Sequence, residues 1–350
     1  RDKGWEEDQV DGNVAATGEA VPQEAGPHPY ASLSPDLVLG AVESLGYLTD
    51  ARVFALNSYE NRVYQVGLER GGSIIVKFYR PERWSDAQII EEHGFIAELA
   101  ALEIPVGAPV AIDGETLLEY AGFRLSVFEQ LAGRAVNLEN PDDLLVMGRF
   151  VGRIHAVGAG AAFAHRQTLS VERLGYESRR FLLENDFLGS DLARAYETLS
   201  ADLLREVESR FSSLEPLRGI RLHGDCHMGN VLWRDDTPHF VDFDDTMTGP
   251  AIQDLWMMLS GDRDQRQGQL LELVEGYNEF HDFRPSELGL IESLRALRLM
   301  HYSAWLARRW SDPAFPMSFP WFNTPRYWSE HILELREQLS VLDEPILRLV

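Results

Sequence analysis

The hydrophobic pattern of this chain changes its period near Ala132-Gly133. Over residues 53–129, apolar residues form short β-type runs, and Gly71-Gly72 joins two of these runs, 63–68 and 73–79, as in a hairpin. After Gly133 the apolar period is mainly that of helices. The candidate helices are 141–157, 173–185, 190–214, 263–280, 286–310 and 327–342. A small β-rich lobe followed by a larger helical lobe predicts an α+β, bilobal fold with a cleft between the lobes.

Three segments follow from this pattern. Residues 1–29 contain seven acidic and two basic residues and have no hydrophobic period, which predicts a disordered acidic tail. Residues 30–130 are expected to form a smaller N-lobe, an antiparallel sheet with a helix. Residues 131–350 are expected to form the larger, helical C-lobe. The hinge between the lobes is predicted at residues 129–133.

Two helices are expected before the hinge. The first begins after Ser34, an N-cap residue followed by Pro35 at the first helical position, and ends before Gly46. The second runs from the N-cap Ser85 to about Leu102. Its apolar face is predicted to consist of Ile89, Ile90, His93, Ile96, Ala97 and Ala100.

The composition restricts the partners of the chain. It has 350 residues, of which 45% are hydrophobic, enough for a packed core. A net charge of −24 argues against nucleic acid as a partner, because nucleic acids are polyanions. No apolar run is long enough for a membrane helix or typical of a signal peptide. The single cysteine, Cys226, cannot form an internal disulfide, so a reducing, cytoplasmic setting is expected. We also expect a monomer with no membrane partner.

The two basic residue types are used very unequally. The chain has 30 arginines and only two lysines, Lys3 in the tail and Lys77 within the apolar run 74–78. Lysine is a compact point charge, whereas arginine is a planar fork. A lysine kept inside an apolar strand therefore indicates a position that arginine cannot fill, although codon usage and chance are the alternative.

Residues 221–248 hold the densest cluster of polar side chains. His223-Gly224-Asp225 is followed by Asn230, and an apolar strand then ends at Asp242. A carboxylate and an amide on one loop, with a second carboxylate on an adjacent strand, can converge on one point. Oxygen ligands of this kind suit Mg²⁺, which binds one or two carboxylates together with substrate phosphates.

The spacing matches that of kinases, in which Asp and Asn five residues apart precede a metal-binding Asp. On this template Asp225 accepts the proton of the acceptor hydroxyl. Asn230 and Asp242 hold Mg²⁺ against the phosphates of ATP, so Asp242 serves both the metal and the catalysis. Lys77, on the third strand, contacts the α- and β-phosphates.

These motifs resemble those of the aminoglycoside phosphotransferase and choline kinase group, which has a protein-kinase-like fold. Four further segments are similar to the bacterial stress response kinase A family. They are residues 57–64, 76–84, 249–256 and 304–310. The resemblance covers roughly residues 30–345 and implies an ATP- and Mg²⁺-dependent kinase. Such a kinase phosphorylates Ser and Thr of proteins, itself included, in cytoplasmic stress responses.

The resemblance implies that residues 30–130 bind ATP and that residues 131–350 carry the catalytic and metal-binding loops, and it assigns further residues to the nucleotide site. Ser58 matches the family position in the loop over the ATP phosphates. Residues 57–61 contain no glycine, so backbone amides and the Ser58 hydroxyl would have to cover the phosphates. Backbone groups of Glu129 and Leu131 are expected to meet adenine. Asp254 resembles an aspartate that braces the catalytic loop.

One acid of the second helix is expected to pair with Lys77 and orient it toward phosphate. Glu91 and Glu92 are both candidates. Glu92 is favoured, because a helix that turns Glu92 toward Lys77 also turns three apolar residues into the core. These are Phe95, Ile96 and Leu99.

Several alternatives remain open at this point. Asp244 and Asp245 compete with Asp242 for the metal, although shaping the loop is the favoured role for both. A zinc site at His223 and His227 is disfavoured, because the spacing offers no third and fourth ligand. The Trp- and Arg-rich residues 305–328 either pack the last helices or form a wall of the acceptor site.

Two other functions also fit the motifs. A small-molecule kinase acting on an amino alcohol, a sugar or an aminoglycoside would use the same residues. A nucleotide-binding pseudokinase could act as a regulatory scaffold, but the intact set of four polar residues argues against it. That set is Lys77, Asp225, Asn230 and Asp242.

Overall fold

The computed structural model of the protein describes residues 28–214 and 219–349. The predicted acidic tail, residues 1–29, lies outside the described residues except for its last two positions. No helix of the described part is both long enough and apolar enough to cross a membrane.

A five-stranded antiparallel sheet forms the first part of the structure. Its strands follow the order β1-β2-β3-β5-β4. They are β1 (Thr49–Ala55), β2 (Arg62–Leu68), β3 (Ser73–Phe78), β4 (Leu118–Tyr120) and β5 (Phe123–Glu129). The turn between β2 and β3 places Gly71 and Gly72 at φ values of 88° and 78°. Glycine adopts this region without steric cost, which confirms the predicted hairpin.

Two helices accompany the sheet, and both predictions of their start are confirmed. Helix α1 (Pro35–Ser44) is capped by Ser34, whose hydroxyl accepts the Leu37 amide proton. Helix α2 (Asp86–Ala101) begins with a capping box formed by Ser85 and Gln88. Each cap satisfies backbone N–H groups that have no partner within the helix.

The predicted apolar face of α2 is partly wrong. Ile90 is 52% exposed, and Ala97 and Ala100 are also exposed. The buried residues are Ile89, Glu92, His93, Phe95, Ile96 and Leu99. The face with Phe95, Ile96 and Leu99 turns inward because it buries more apolar surface than the face with Ile90, Ala97 and Ala100 would, and Glu92 lies on the same inward face.

The second part is mainly helical, and the predicted helices are present with small shifts. They are α3 (Pro141–Gly158), α4 (Glu177–Glu184), α5 (Gly189–Ser213), α6 (Gln253–Trp256), α7 (Arg263–Tyr277), α8 (Ile291–Arg308), α9 (Ala314–Ser318) and α10 (Pro325–Val341). A π-helical turn precedes α4, and a 3-10 turn precedes α8. The short helices α6 and α9 were not predicted, since four or five residues show no helical period.

Four short strands build the polar segment between α5 and α6. They are β6 (Ile220–Leu222), β7 (Val231–Arg234), β8 (Thr237–Phe240) and β9 (Met247–Gly249). β6 pairs with β9, and β7 pairs with β8, both antiparallel. The connections between these strands carry the candidate catalytic residues.

The hydrophobic core is divided unequally between the two parts. One cluster joins α1 to the inner face of the first sheet and includes Val38, Val76 and Val127. The larger cluster fills the helical part and also contains Phe95 and Ile96 of α2. Helix α2 therefore packs into the core of the helical lobe, although it follows a strand of the sheet in sequence. The arrangement confirms the predicted α+β organisation.

Candidate active site

The loop that carries Asp225 follows strand β6 and makes a sharp turn at Gly224. Gly224 has a φ of 90°. A Cβ at this position would lie 2.1 Å from the carbonyl oxygen of Asp245. Only glycine fits such a close approach of two backbones, which is the physical reason for glycine between His223 and Asp225.

Asp254, at the start of α6, braces this loop from the interior. Its carboxylate accepts the amide protons of His223 and Gly224, both at 2.8 Å. The Nε2 atom of His155 lies 3.0 Å from the same carboxylate, and the Nδ1 atom of this ring lies 2.9 Å from the Tyr277 hydroxyl. The buried acid is thus fully surrounded by donors and holds the loop backbone in one position.

His223 and His227 serve the loop through contacts that need no metal. The Nε2 atom of His223 lies 2.9 Å from the carbonyl oxygen of Val241, and its ring packs on Phe243. The Nδ1 atom of His227 accepts the Gly229 amide proton at 3.0 Å. Across residues 28–214 and 219–349, no group of three or more His, Cys, Asp or Glu side chains could hold a metal ion.

Asn230 and Asp242 meet at the open end of the β7–β8 hairpin. Asn230 directly precedes β7, Asp242 follows β8 by two residues, and the Val241 amide donates to the Asn230 carbonyl at 3.0 Å. The side-chain amide of Asn230 donates to the Asp225 carbonyl oxygen at 3.0 Å, which leaves its own oxygen as a ligand. The hairpin therefore brings the three predicted polar residues together.

Asp242 has a left-handed backbone conformation, with a φ of 57°. Its side chain is 53% exposed, more than that of the neighbouring acids Asp244 and Asp245. A residue with a side chain in this conformation costs about 1–2 kcal/mol relative to an ordinary one, and such residues cluster at functional sites. The carboxylate of Asp242 is thus accessible at the end of the hairpin.

Lys77 reaches this carboxylate from strand β3 of the other lobe. Its Nζ atom lies 3.0 Å from Oδ1 of Asp242 and 3.0 Å from Oδ1 of Asp244. Burial alone would lower the pKa of Lys77, but the two carboxylates hold this pKa well above its ordinary value. The ammonium group therefore stays charged although it is buried.

Asp244 is the buried centre of this charge cluster. The sequence predicted only that it shapes the loop. Arg83 donates to its carboxylate, and Arg166 donates to its backbone carbonyl. Burial would raise the pKa of Asp244, but Arg83, Lys77 and Arg166 together hold it well below the usual range. Arg83 also donates to Asp245 at 2.7 Å. Asp244 thus links Lys77 to arginines of both lobes.

The expected ion pair between Lys77 and Glu92 is not formed among the residues that the structure describes. The Glu92 carboxylate is buried and lies 3.7 Å from the Arg166 guanidinium, and burial raises its pKa to about 7. Glu91 points elsewhere and accepts backbone amide protons of His165 and Arg166. Glu92 faces the charged cluster, but Asp242 and Asp244 are the direct partners of Lys77.

Asp225 has a cationic partner that sequence reasoning missed. Nη1 of Arg298, on helix α8, donates to Asp225 Oδ1 at 2.7 Å, and Nε2 of His227 lies 3.4 Å from Oδ2. Burial would raise the pKa of Asp225, but the Arg298 guanidinium and the contact with His227 hold it well below its usual range. The carboxylate is therefore ionised at neutral pH and able to accept a proton. No local pattern marks Arg298, which lies 73 residues from Asp225.

The other predicted nucleotide contacts lie at the junction of the lobes. Ser58 lies in the loop between β1 and β2, and its hydroxyl donates to the Asn61 carbonyl at 3.2 Å. Glu129 is the exposed last residue of β5, and Leu131 follows it as a half-buried residue. Their contacts with a nucleotide stay predictions.

The donor set at the hairpin fits a hard divalent cation. Asp242 offers a half-exposed carboxylate and Asn230 offers a side-chain carbonyl oxygen. Two such ligands are too few to enclose an ion, but Mg²⁺ is commonly bound by one or two protein oxygens together with phosphate oxygens. The residues present therefore suit Mg²⁺ that arrives with a nucleotide.

Known structures share this arrangement of lobes. An amicoumacin kinase, solved with AMP-PNP and Ca²⁺, superposes with a TM-score of 0.68 at 22% identity, over 89% of this chain and 94% of that one. A microcompartment-associated aminopropanol kinase superposes with a TM-score of 0.65 at 19% identity, over 87% and 96%. The sequence model of the phosphotransferase enzyme family matches residues 52–290. Fold and site thus define a kinase-like phosphotransferase.

Closer relatives identify the family within this class. The chain is 45% identical over 320 residues to stress response kinase A of Shigella flexneri, which covers 91% of this chain and 97% of that protein. It is 42% identical, over the same shares, to the serine/threonine protein kinase RdoA of Salmonella typhimurium. The chain belongs to the stress response kinase A family.

Proposed function

We propose that this kinase transfers the terminal phosphoryl group of ATP, with Mg²⁺, to Ser and Thr hydroxyls of proteins, itself included. The observation that carries the proposal is the convergence of Lys77 from one lobe with Asp242 from the other. Asn230 is hydrogen-bonded to the Asp225 backbone in the same place. Kinases use this set to position and neutralise phosphates, because phosphoryl transfer needs little covalent chemistry from the protein.

Each residue has a role in this proposal. Asp225, which Arg298 holds in its ionised form, accepts the proton as the hydroxyl attacks the phosphoryl group. Asn230 and Asp242 hold Mg²⁺, which neutralises negative charge on the phosphates. Lys77 binds the phosphates of the nucleotide. The nearby carboxylate of Glu92 helps to keep Lys77 charged.

The remaining nucleotide contacts come from the first lobe. The loop with Ser58 covers the phosphates, and backbone groups of Glu129 and Leu131 meet adenine. Because the only cysteine, Cys226, is buried and free, the protein needs no oxidising compartment, and we propose the cytoplasm as its location.

The support for a protein acceptor is the close relative from Salmonella typhimurium, whose name is that of a serine/threonine protein kinase. The fold neighbours carry the names of amicoumacin and aminopropanol kinases and share at most 22% identity with this chain. Their likeness speaks for the fold, whereas the relative at 42% identity speaks for the acceptor.

The test compares acceptors and variants side by side. Labelled ATP with MgCl₂ is given to the purified protein alone, to casein, and to a panel of small amino alcohols, sugars and aminoglycosides. Asp225→Asn keeps the shape of the base but not its charge, and it should lower transfer about 10²–10⁴-fold. Asp235→Asn is the matched control, because Asp235 is 86% exposed and pairs with its neighbour Arg234.

Phosphate on casein or on the protein itself, lost in Asp225→Asn and kept in Asp235→Asn, supports the proposal. Transfer confined to a small alcohol would replace the protein acceptor by a small molecule. ATP binding without transfer to any acceptor would identify a pseudokinase.

A further inference from the structure

The phosphate loop, residues 57–61 between β1 and β2, is attached to the helical lobe through Glu60. Oε2 of Glu60 accepts the indole proton of Trp305 at 2.5 Å and lies 2.5 Å from Nε of Arg309. Trp305 lies in the last turn of α8 in the other lobe, and Arg309 is the C-cap residue that follows this helix. The Glu60 side chain is only 11% exposed, so this contact is sheltered from water.

The same carboxylate also connects the phosphate loop, through Arg83, to the two acids that follow Asp242 in sequence. Oε1 of Glu60 lies 3.2 Å from Nε of Arg80 and 3.7 Å from Nε of Arg83. Arg83 in turn donates to Asp244 and Asp245. One buried carboxylate is therefore shared by arginines of both lobes.

Residues on both sides of Glu60 reinforce the attachment. Arg62 and Arg80 both donate to the carboxylate of Asp312, at 3.1 and 2.7 Å. The ring of Tyr59 packs against Phe319, with centroids 4.7 Å apart. The segment that follows α8 thus contacts the phosphate loop and the start of β2.

The physical need for this attachment follows from the composition of the loop. A glycine-rich loop covers phosphates through close backbone approach, but residues 57–61 contain no glycine. Hydrogen bonds to an ionised group are about twice as strong as neutral ones, and the shelter from water strengthens them further. Contacts made by charged side chains can therefore hold this loop in place, although it lacks the glycines that let a backbone approach phosphates closely.

We propose that Glu60, Trp305 and Arg309 are positioning residues that hold the phosphate loop over the phosphates of ATP. The inference rests on the nucleotide site of the proposed function. It assigns a role to the Trp- and Arg-rich end of α8, which the sequence left undecided between packing and an acceptor wall. The C-lobe then sets the position of an N-lobe loop.

The test compares Glu60→Gln with Glu69→Gln. Both variants remove one negative charge from the same lobe, but Glu69 is exposed in the turn after β2. Without ATP, exchange of the Leu56 and Arg80 amides, which donate to the Val63 carbonyl and the Asn61 side chain at the two ends of the loop, should be about tenfold faster in Glu60→Gln than in wild type. In transfer assays kcat/KM for ATP should fall about 10–100-fold, whereas KM for casein should not change. Glu69→Gln should match wild type in all three measurements.

Arg309→Gln and the double variant Glu60→Gln/Arg309→Gln complete the test. If the two residues act through one contact, the double variant should lose no more than the larger single loss. Should Glu60→Gln fail to fold, Arg309→Gln and Trp305→Phe carry the same comparison.

Unchanged amide exchange and ATP kinetics in Glu60→Gln, or fully additive losses in the double variant, would overturn the inference. A wild-type protein that phosphorylates no protein would instead overturn the proposed function. The exchange measurement on the free protein would still report on the attachment of the loop, so the two failures are distinguishable.

Discussion

Replacing Gly224 by alanine should strongly impair phosphoryl transfer while the protein stays folded. The added Cβ would lie 2.1 Å from the Asp245 carbonyl oxygen, whereas an ordinary contact is about 3.5 Å. The two backbone segments must therefore separate by roughly 1 Å, and a misplacement of 1 Å can lower the rate about 10²-fold. The φ of 90° adds about 1–2 kcal/mol of backbone strain for a residue with a side chain.

The assay is steady-state transfer from labelled Mg-ATP to casein, with urea denaturation of the same samples. Gly268→Ala is the matched control, because a Cβ at this position of α7 meets nothing within 4 Å. Helical Gly268→Ala should stabilise the fold by about 0.5–1 kcal/mol and leave turnover unchanged. If Gly224→Ala turned over like Gly268→Ala, the close approach at Asp245 would not determine the position of Asp225.

Lys77→Arg should lose most of the activity although it keeps the charge, because the buried Nζ lies 3.0 Å from both Asp242 and Asp244 and a planar fork needs more room. Steady-state transfer from Mg-ATP measures this, and wild-type turnover would contradict it. Burial raises the pKa of Glu92 from 4.5 to about 7, so the folded protein binds this proton more tightly than the unfolded chain. The free energy of unfolding should therefore fall by about 3 kcal/mol between pH 4.5 and 7 on account of this group. Glu92→Gln should lack that share of the fall, and equal pH slopes in urea denaturation of both proteins would refute it.

The local parts of the site were predictable from the chain. Asp225, Asn230 and Asp242 lie within eighteen residues of each other, and a hairpin closes the distance between the last two. Because so few residues separate them, the chain has few ways to place their side chains far apart. The scarcity of lysine pointed to Lys77. The structure places Lys77 on β3, a central strand that pairs with β2 and β5.

The partners of these residues were not predictable in the same way. Arg83 contacts Asp244 across 161 residues, and Trp305 contacts Glu60 across 245 residues. The burial of Glu92 likewise depended on which core α2 packs into. No local period or spacing encodes such choices.

The sequence by itself determined the class of fold, the caps of the first helices and the order of the catalytic motif. These properties depend on neighbours a few residues apart, whose preferences are set by backbone sterics and side-chain period. Only the tertiary structure decided that Lys77 pairs with Asp242 and Asp244 rather than with Glu92. Only the tertiary structure brought Arg298 to Asp225 and attached Glu60 to Trp305 of α8 and to Arg309. Such pairs form because packing the two lobes buries charges that then need partners, and the partners come from whichever segments the packing brings near.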